Sequence, residues 1–261
     1  MTTPDDAVLV ERAAEHVTLV TINRPDARNA VNGAVAEGLE RAVLDAEKDP
    51  DVWVVILTGA GDKAFCAGAD LKAVSQGTGG SLGTRDGGFA GFVHQNRTNP
   101  WIAAVNGFAL AGGTEIALAC DLIIAIDTAA FGLPEVKRGL VAGAGGLYRL
   151  PRALPKALAL ELIMTGAHFD AERAFQHGLV NRLVKRDQLM PEALKLAAAI
   201  CENAPLAVRE SLHVARLAFD RHELELYRLC DEAQLRLQAT EDFAEGSRAF
   251  IEKRPPRWQG R

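Results

Sequence analysis

The chain has 261 residues, 48% of them hydrophobic and 24% charged, with a formal net charge of −5. That length suits one sizeable core, and the acidic balance argues against general nucleic-acid binding. Four widely spaced cysteines (Cys66, Cys120, Cys201, Cys230) form no C-x-x-C pair, no apolar run approaches a membrane span of ~20 residues, and the acidic start MTTPDDAVLVERAAEH has no signal-peptide core. A reducing compartment, the cytoplasm, is expected, without a metal knuckle or a disulfide framework.

Residues 17–22 are a β-branched run and predict a strand, ended by the turn Asn23-Arg24-Pro25-Asp26. Residues 31–47 follow a helical pattern with Val35, Leu39, Ala42, Val43 and Ala46 on one face, stopped by Asp49-Pro50. Residues 52–57 predict a second apolar strand. Strand, helix and strand in this order indicate an α/β sheet with helices over a face.

Next comes GAGDKAFCAGADL, residues 59–71. Gly59-Ala60-Gly61-x-x-Ala64 is a poor dinucleotide fingerprint, because no helix opens directly after it. A bent loop, Cys66-Ala67-Gly68-Ala69-Asp70, offering backbone N–H groups to a ligand is the better reading. Residues 76–91 are rich in Gly, Ser and Thr and read as a mobile loop over a site or a locally disordered segment. Gly79-Gly80-Ser81-Leu82-Gly83 matches the hydrolase pattern G-x-S-x-G but lacks its strand–turn–helix setting.

The stretch WIAAVNGFALAGGTEIALAC, residues 101–120, predicts a buried strand, a turn at Asn106-Gly107 and a helix opened by Gly112-Gly113. Two glycines there let the backbone approach a ligand. The first N–H groups of the helix lack intrahelical partners and sit at its positive end, where negative charge is stabilised. Glu115 shares that face of the first turn. A donor and a carboxylate side by side suit enolate chemistry; equally, Glu115 could simply complement the helix dipole. Trp101 is expected to pack beneath its strand.

Residues 122–126 predict another strand, and 129–132 lead into Leu133-Pro134-Glu135, where proline restricts where Glu135 points. GLVAGAGG, residues 139–146, is a second glycine loop, either a helix terminus near a pocket or a plain connection. Helical patterns follow over 156–165, 171–177, 188–203, 206–219 and 223–240, with a strand at 179–183. The closing FIEKRPPRWQGR is basic and reads as a solvated terminus or a surface for an anion. No sequence repeat is visible. His222-Glu223-Leu224-Glu225-Leu226 lacks the second histidine of a zincin helix, and no metal site is readable.

Together INRPDARNA (22–30), AFCAGADL (64–71), NGFALAGGTEIALACDL (106–122) and LPEVKRGLVAGAGG (133–146) resemble the enoyl-CoA hydratase/isomerase family, the crotonases, over nearly the whole chain. The tail and the LPE turn resemble most the carnitinyl-CoA dehydratase (crotonobetainyl-CoA hydratase) branch. The resemblance implies an α/β crotonase-like (ClpP/crotonase) fold, a spiral of ββα units over residues 1–200. Residues 201–261 would form a C-terminal helical trimerisation region with a CoA-contacting tail.

It places an oxyanion hole on the backbone N–H groups of Ala69 and Gly112 and the two hydratase glutamates on Glu115 and Glu135. CoA would lie along Arg28, Ala30, Ala67, Gly68, Asp70 and Leu71, with Phe250 and Lys253 reaching it across a subunit boundary in a homotrimer or hexamer. One departure is Ala111, where many hydratases have a third glycine. The implied activity is reversible syn addition of water to a trans-2-enoyl-CoA, giving a 3-hydroxyacyl-CoA, without metal or redox cofactor. Carnitinyl-CoA dehydration, enoyl-CoA isomerisation, thioester hydrolysis and CoA-thioester binding without turnover are the alternatives. The acyl group is left open by residues 76–91.

Overall fold

The computed structural model describes residues 6–75, 77 and 81–261. Gln76 and residues 78–80 of the expected glycine-rich loop, with the first two glycines of the G-x-S-x-G pattern, lie outside the described residues, as do residues 1–5 of the acidic start.

The chain opens with a hairpin, β1 (Val8–Ala14) and β2 (Val17–Ile22), paired antiparallel from Val8↔Ile22 to Ala14↔Val17. The strand β1 was not expected: it is a sheet edge that buries only Val8, so no apolar alternation marks it. α1 (Gly33–Lys48) starts where the Asn32 side chain accepts the Val35 N–H at 3.1 Å. Its expected face is buried, and Val35, Leu39 and Val43 each contribute roughly 1.5–3 kcal/mol by leaving water.

There follow β3 (Val54–Gly59), β4 (Ala64–Cys66), α2 (Leu71–Ser75), β5 (Gly83–Thr84) and β6 (Gly88–Phe89). Next are β7 (Trp101–Val105), β8 (Phe108–Leu110), α3 (Gly112–Ala119), β9 (Leu122–Ile126) and β10 (Ala130–Gly132). The last third holds α4 (Gly146–Ala153), α5 (Lys156–Thr165), β11 (His168–Asp170), α6 (Ala171–Gln176), β12 (Arg182–Val184), α7 (Leu189–Cys201), α8 (Pro205–Leu217), α9 (Glu223–Gln238) and α10 (Glu241–Glu252).

Six strands form one sheet in the order β1-β2-β3-β7-β9-β12, parallel beyond the hairpin; four short strands form a second, β11-β10-β8-β4. The backbone makes one move three times, although no repeat shows in the sequence. β3, β7 and β9 lie in the large sheet, and each is followed by a three-residue strand, β4, β8 or β10, in the small one. α7 packs on β3, β7 and β9, while β4 packs on β3 and β7. Covered on both sides, β3 and β7 are buried at every position, which explains their mostly apolar sequences; Thr58, the polar residue of β3, donates its hydroxyl to the Ala104 carbonyl at 2.7 Å. Trp101 is fully buried, edge-on to Phe92.

The small sheet positions the site. β4, β8 and β10 run parallel, with Ala64 and Ala130 both level with Phe108, and Gly132 level with Leu110. Their carboxyl ends therefore reach one edge, and each is followed by one of the motifs read from the sequence.

The C-terminal segment is ordered where a solvated tail was expected. Asp242, in the first turn of α10, is 3% exposed and accepts the Gln259 and Gly260 N–H groups at 2.7 and 2.9 Å. Arg254 forms a two-pronged pair with Glu245 at 2.6 and 3.0 Å, and Trp258 Nε1 donates to the Glu202 carbonyl at 2.8 Å. The basic charge of the tail is thus partly answered within the chain. No helix among the described residues is long and apolar enough to cross a membrane.

Candidate active site

The loop after β4 is held from behind by the segment after β2. Arg28 and Asn29 both adopt left-handed backbone, at φ 52° and 56°. The buried Asn29 side chain makes this turn possible: its Nδ2 donates to the Ala60 and Ala64 carbonyls at 2.9 and 2.7 Å, and its Oδ1 accepts the Arg24 N–H at 2.9 Å. The turn presents Arg28 O to the Ala67 N–H (3.1 Å), the Val31 N–H to Gly68 O (2.8 Å) and Val31 O to the Asp70 N–H (2.9 Å). Arg24 closes the arrangement with an ion pair to Asp70 at 2.9 Å. The Ala69 N–H has no hydrogen-bond partner among the described residues.

Gly68, at φ +88°, brings this loop against the start of α3: a Cβ there would lie 3.0 Å from Gly112 N. The Gly112 N–H opens α3 and also has no partner among the described residues. The glycine pair was expected to admit a ligand, but its second member admits protein. A Cβ on Gly113 would lie 1.9 Å from the Cys66 carbonyl oxygen, so only glycine lets α3 approach β4 this closely. Thr114 fixes the helix to the sheet, its hydroxyl donating to Ala109 O at 2.6 Å and accepting the Gly132 N–H at 3.0 Å. Ala111, the departure from the third glycine, sits at φ 52°, ψ −125°, a strained backbone for alanine.

Glu115 is 3% exposed, and its Oε1 accepts the Gly146 N–H at 2.9 Å. The glycine loop 139–146 is thus a helix terminus at the cavity, the first of the two expectations for it. Burial pushes Glu115 up to about 7; the Gly146 N–H opposes the rise and the Glu135 charge adds to it. Glu135 lies in a 3-10 turn, Pro134–Arg138, directly after β10. Its Oε2 is buried without a hydrogen-bond partner among the described residues, and burial raises its affinity for a proton as well. The Glu135 charge raises Glu115, so the ionisation of one carboxyl is linked to that of the other.

A cavity of about 650 Å³ brings these groups together. Of the residues expected from sequence, Arg28, Ala67, Ala69, Leu71, Gly112, Glu115 and Glu135 line it. Ala30, Gly68 and Asp70 are not among its lining residues: the Ala30 carbonyl already accepts from Arg24 Nη1 at 2.6 Å, and Asp70 is held by the same guanidinium. Phe250 and Lys253 do not line it either; Phe250 is 86% exposed on α10, and Lys253 ends that helix at φ 54°.

Phe89, Lys137, Arg138, Leu140, Val141 and His168 also line the cavity and were missed. Composition hid Phe89 in a stretch read as mobile. Its neighbourhood is anchored instead on α1, where Glu40 accepts from Thr84 Oγ1 at 2.5 Å and from Gln95 Nε2 at 3.2 Å. His168 had no local signal; pairing of β11 with β10 brings it in.

Two unpartnered N–H groups and two proton-loving carboxyls on one cavity can stabilise charge on an oxygen while giving and taking protons beside it. A family model described as enoyl-CoA hydratase/isomerase matches residues 12–261. A carnitinyl-CoA dehydratase from Salmonella arizonae is 42% identical over 246 residues, covering 92% of this chain and 94% of its own. A mevalonyl-coenzyme A hydratase from Aspergillus fumigatus is 40% identical over 255 residues, covering 96% and 94%. The crystal structure of an enoyl-CoA hydratase from Mycobacterium tuberculosis superposes with a TM-score of 0.93 at 44% identity, over 98% of this chain and 100% of the other.

Proposed function

This chain belongs to the enoyl-CoA hydratase/isomerase family, and on that premise we propose that it adds water reversibly, in the syn sense, to a trans-2-enoyl-CoA. It is a hydro-lyase of CoA thioesters. The reading rests on one observation above all: the free N–H groups of Ala69 and Gly112 share a cavity with Glu115 and Glu135.

The thioester carbonyl accepts from the two N–H groups. As water attacks the β-carbon, electrons move onto that oxygen, and the bonds strengthen in the transition state. Each such donor is worth ~3 kcal/mol there. Glu115 in its ionised form takes a proton from the water; the Gly146 N–H helps to hold that form against burial. Glu135, whose buried Oε2 has no donor to hold a negative charge, delivers its proton to the α-carbon. In dehydration the roles exchange.

The CoA portion would run past Arg28 and the Ala67 loop, with Lys137 and Arg138 adding positive charge for an anionic substrate. Phe219, Leu224, Tyr227, Leu235 and Ile251 are more than 60% exposed on the C-terminal segment, which supports a trimer in which Phe250 and Lys253 meet the CoA of a neighbour.

The test is loss of enoyl-thioester absorbance with crotonyl-CoA in wild type, Glu115→Gln and Glu135→Gln. A hydratase loses on the order of 10²–10⁴-fold in each variant; full activity in both overturns the assignment. Carnitinyl-CoA dehydration is the second reading. It is favoured by relatives of that name and by Phe89 on the cavity wall, an aromatic group of the kind that attracts a trimethylammonium. Preference for crotonobetainyl-CoA in the same assay selects it. A shifted double bond as product would select isomerisation, and free CoA would select hydrolysis.

A further inference from the structure

The turn that holds Glu115 leaves Leu140 and Val141 55% and 69% exposed, and the apolar side chain it buries is the small Ala142. Its anchor is Arg149, one turn into α4. Nη1 donates to the Ala144 carbonyl at 3.1 Å and Nη2 to the Val93 carbonyl, on the segment between β6 and β7, at 2.6 Å. The Arg149 N–H also donates to Gly145 O at 2.8 Å. The guanidinium lies so close to the turn that a Cβ on Gly145 would sit 2.1 Å from Nη1. Among the described residues no carboxylate forms an ion pair with it.

We propose that Arg149 is the positioning residue for Glu115: its fork fixes the turn whose Gly146 N–H holds that carboxyl. The arginine's charge acts in the same direction, favouring the ionised carboxyl. The groups that face the pair are Glu135, from the turn after β10, with Arg138 beside it; Cys120, at the end of α3; and Tyr148 and Arg152 on α4. Arg97 adds a second positive charge near Arg149. Of the two carboxyls, only Glu115 feels Arg149 directly, so loss of the arginine raises its proton affinity. The proposal rests on Glu115 being the base of the reaction, yet its test does not depend on turnover.

The titration of Glu115 would be followed through its carboxyl ¹³C resonance, identified by its loss in Glu115→Gln, alongside kcat against pH with crotonyl-CoA. Arg149→Met should move the Glu115 midpoint up by about one pH unit. Activity at pH 7 then falls severalfold to tenfold, and the acidic limb of the kcat profile moves to higher pH. Arg149→Lys keeps the charge but not the fork; its midpoint should also rise, by less than that of Arg149→Met, while the plateau of kcat drops. An unmoved midpoint in Arg149→Met overturns the proposal, as does an Arg149→Lys midpoint that stays at the wild-type value. If the methionine variant does not fold, the lysine variant alone decides by the same midpoint. If the midpoint moves as expected but wild type hydrates no enoyl-CoA, the functional reading fails and the positioning role stands.

Discussion

Replacing Glu115 by glutamine should destroy activity and, at alkaline pH, stabilise the protein. The substitution keeps the side chain's shape and an oxygen for the Gly146 N–H, and it removes the charge. In the folded protein burial holds the Glu115 carboxyl at about 7 against the ordinary 4.5, so the fold prefers its protonated form. Below pH 4.5 the group is protonated in both folded and unfolded chains, and wild type has the full benefit. Between 4.5 and 7 the unfolded chain ionises while the folded chain resists, and that benefit is lost. Above 7 the loss is complete, at about 1.4 kcal/mol per pH unit of separation, or roughly 3 kcal/mol. Glutamine does not titrate and escapes this. The difference in unfolding free energy between variant and wild type should be near its minimum below pH 4.5 and reach a plateau about 3 kcal/mol higher above pH 7. For a chain of this size that is a rise of roughly 6–10 °C in melting temperature at pH 8. Urea melts at fixed protein concentration across pH 4.5–8.5 measure it. A difference that does not change with pH would refute the argument that desolvation of Glu115 is what raises it.

Ala111→Gly should raise stability by about 1 kcal/mol. Relief of a strained backbone (~1–3 kcal/mol) outweighs the entropy glycine adds to the unfolded chain (~0.4–1 kcal/mol); a lower melting temperature would show that Ala111 is not strained. Asp242→Ala should cost about 3 kcal/mol and expose the last residues to protease, because two backbone N–H groups lose a buried, charged acceptor. Limited proteolysis and a urea melt check it, and an equally protected tail would show that the anchor lies elsewhere.

Much of the fold is written locally. The strands at 17–22 and 122–126 and the helix at 156–165 fall where their sequences place them, because each is a run of residues whose local preference matches its element. The three-residue strands β8, β10 and β11 leave none, and β1 buries too little to show. α10 hid beside a basic tail, since a count of charges does not reveal that Arg254 is paired with Glu245.

The candidate site divides the same way. The residues proposed to carry the chemistry were legible in the sequence: glycines at a helix start, and two glutamates at a spacing shared with the family. Backbone conformation and residue type are local properties, so motifs can record them. Only the tertiary structure decided that Asp70 is held by Arg24 instead of lining the cavity, that Phe89 and His168 line it, and that Gly146 donates to Glu115. It also decided that both carboxyls hold protons more tightly than free glutamates. Desolvation depends on every atom around a group, and those atoms come from β4, β8, β10 and the turn before α4. These segments are far apart along the chain, and parallel registry and packing bring their ends to one edge.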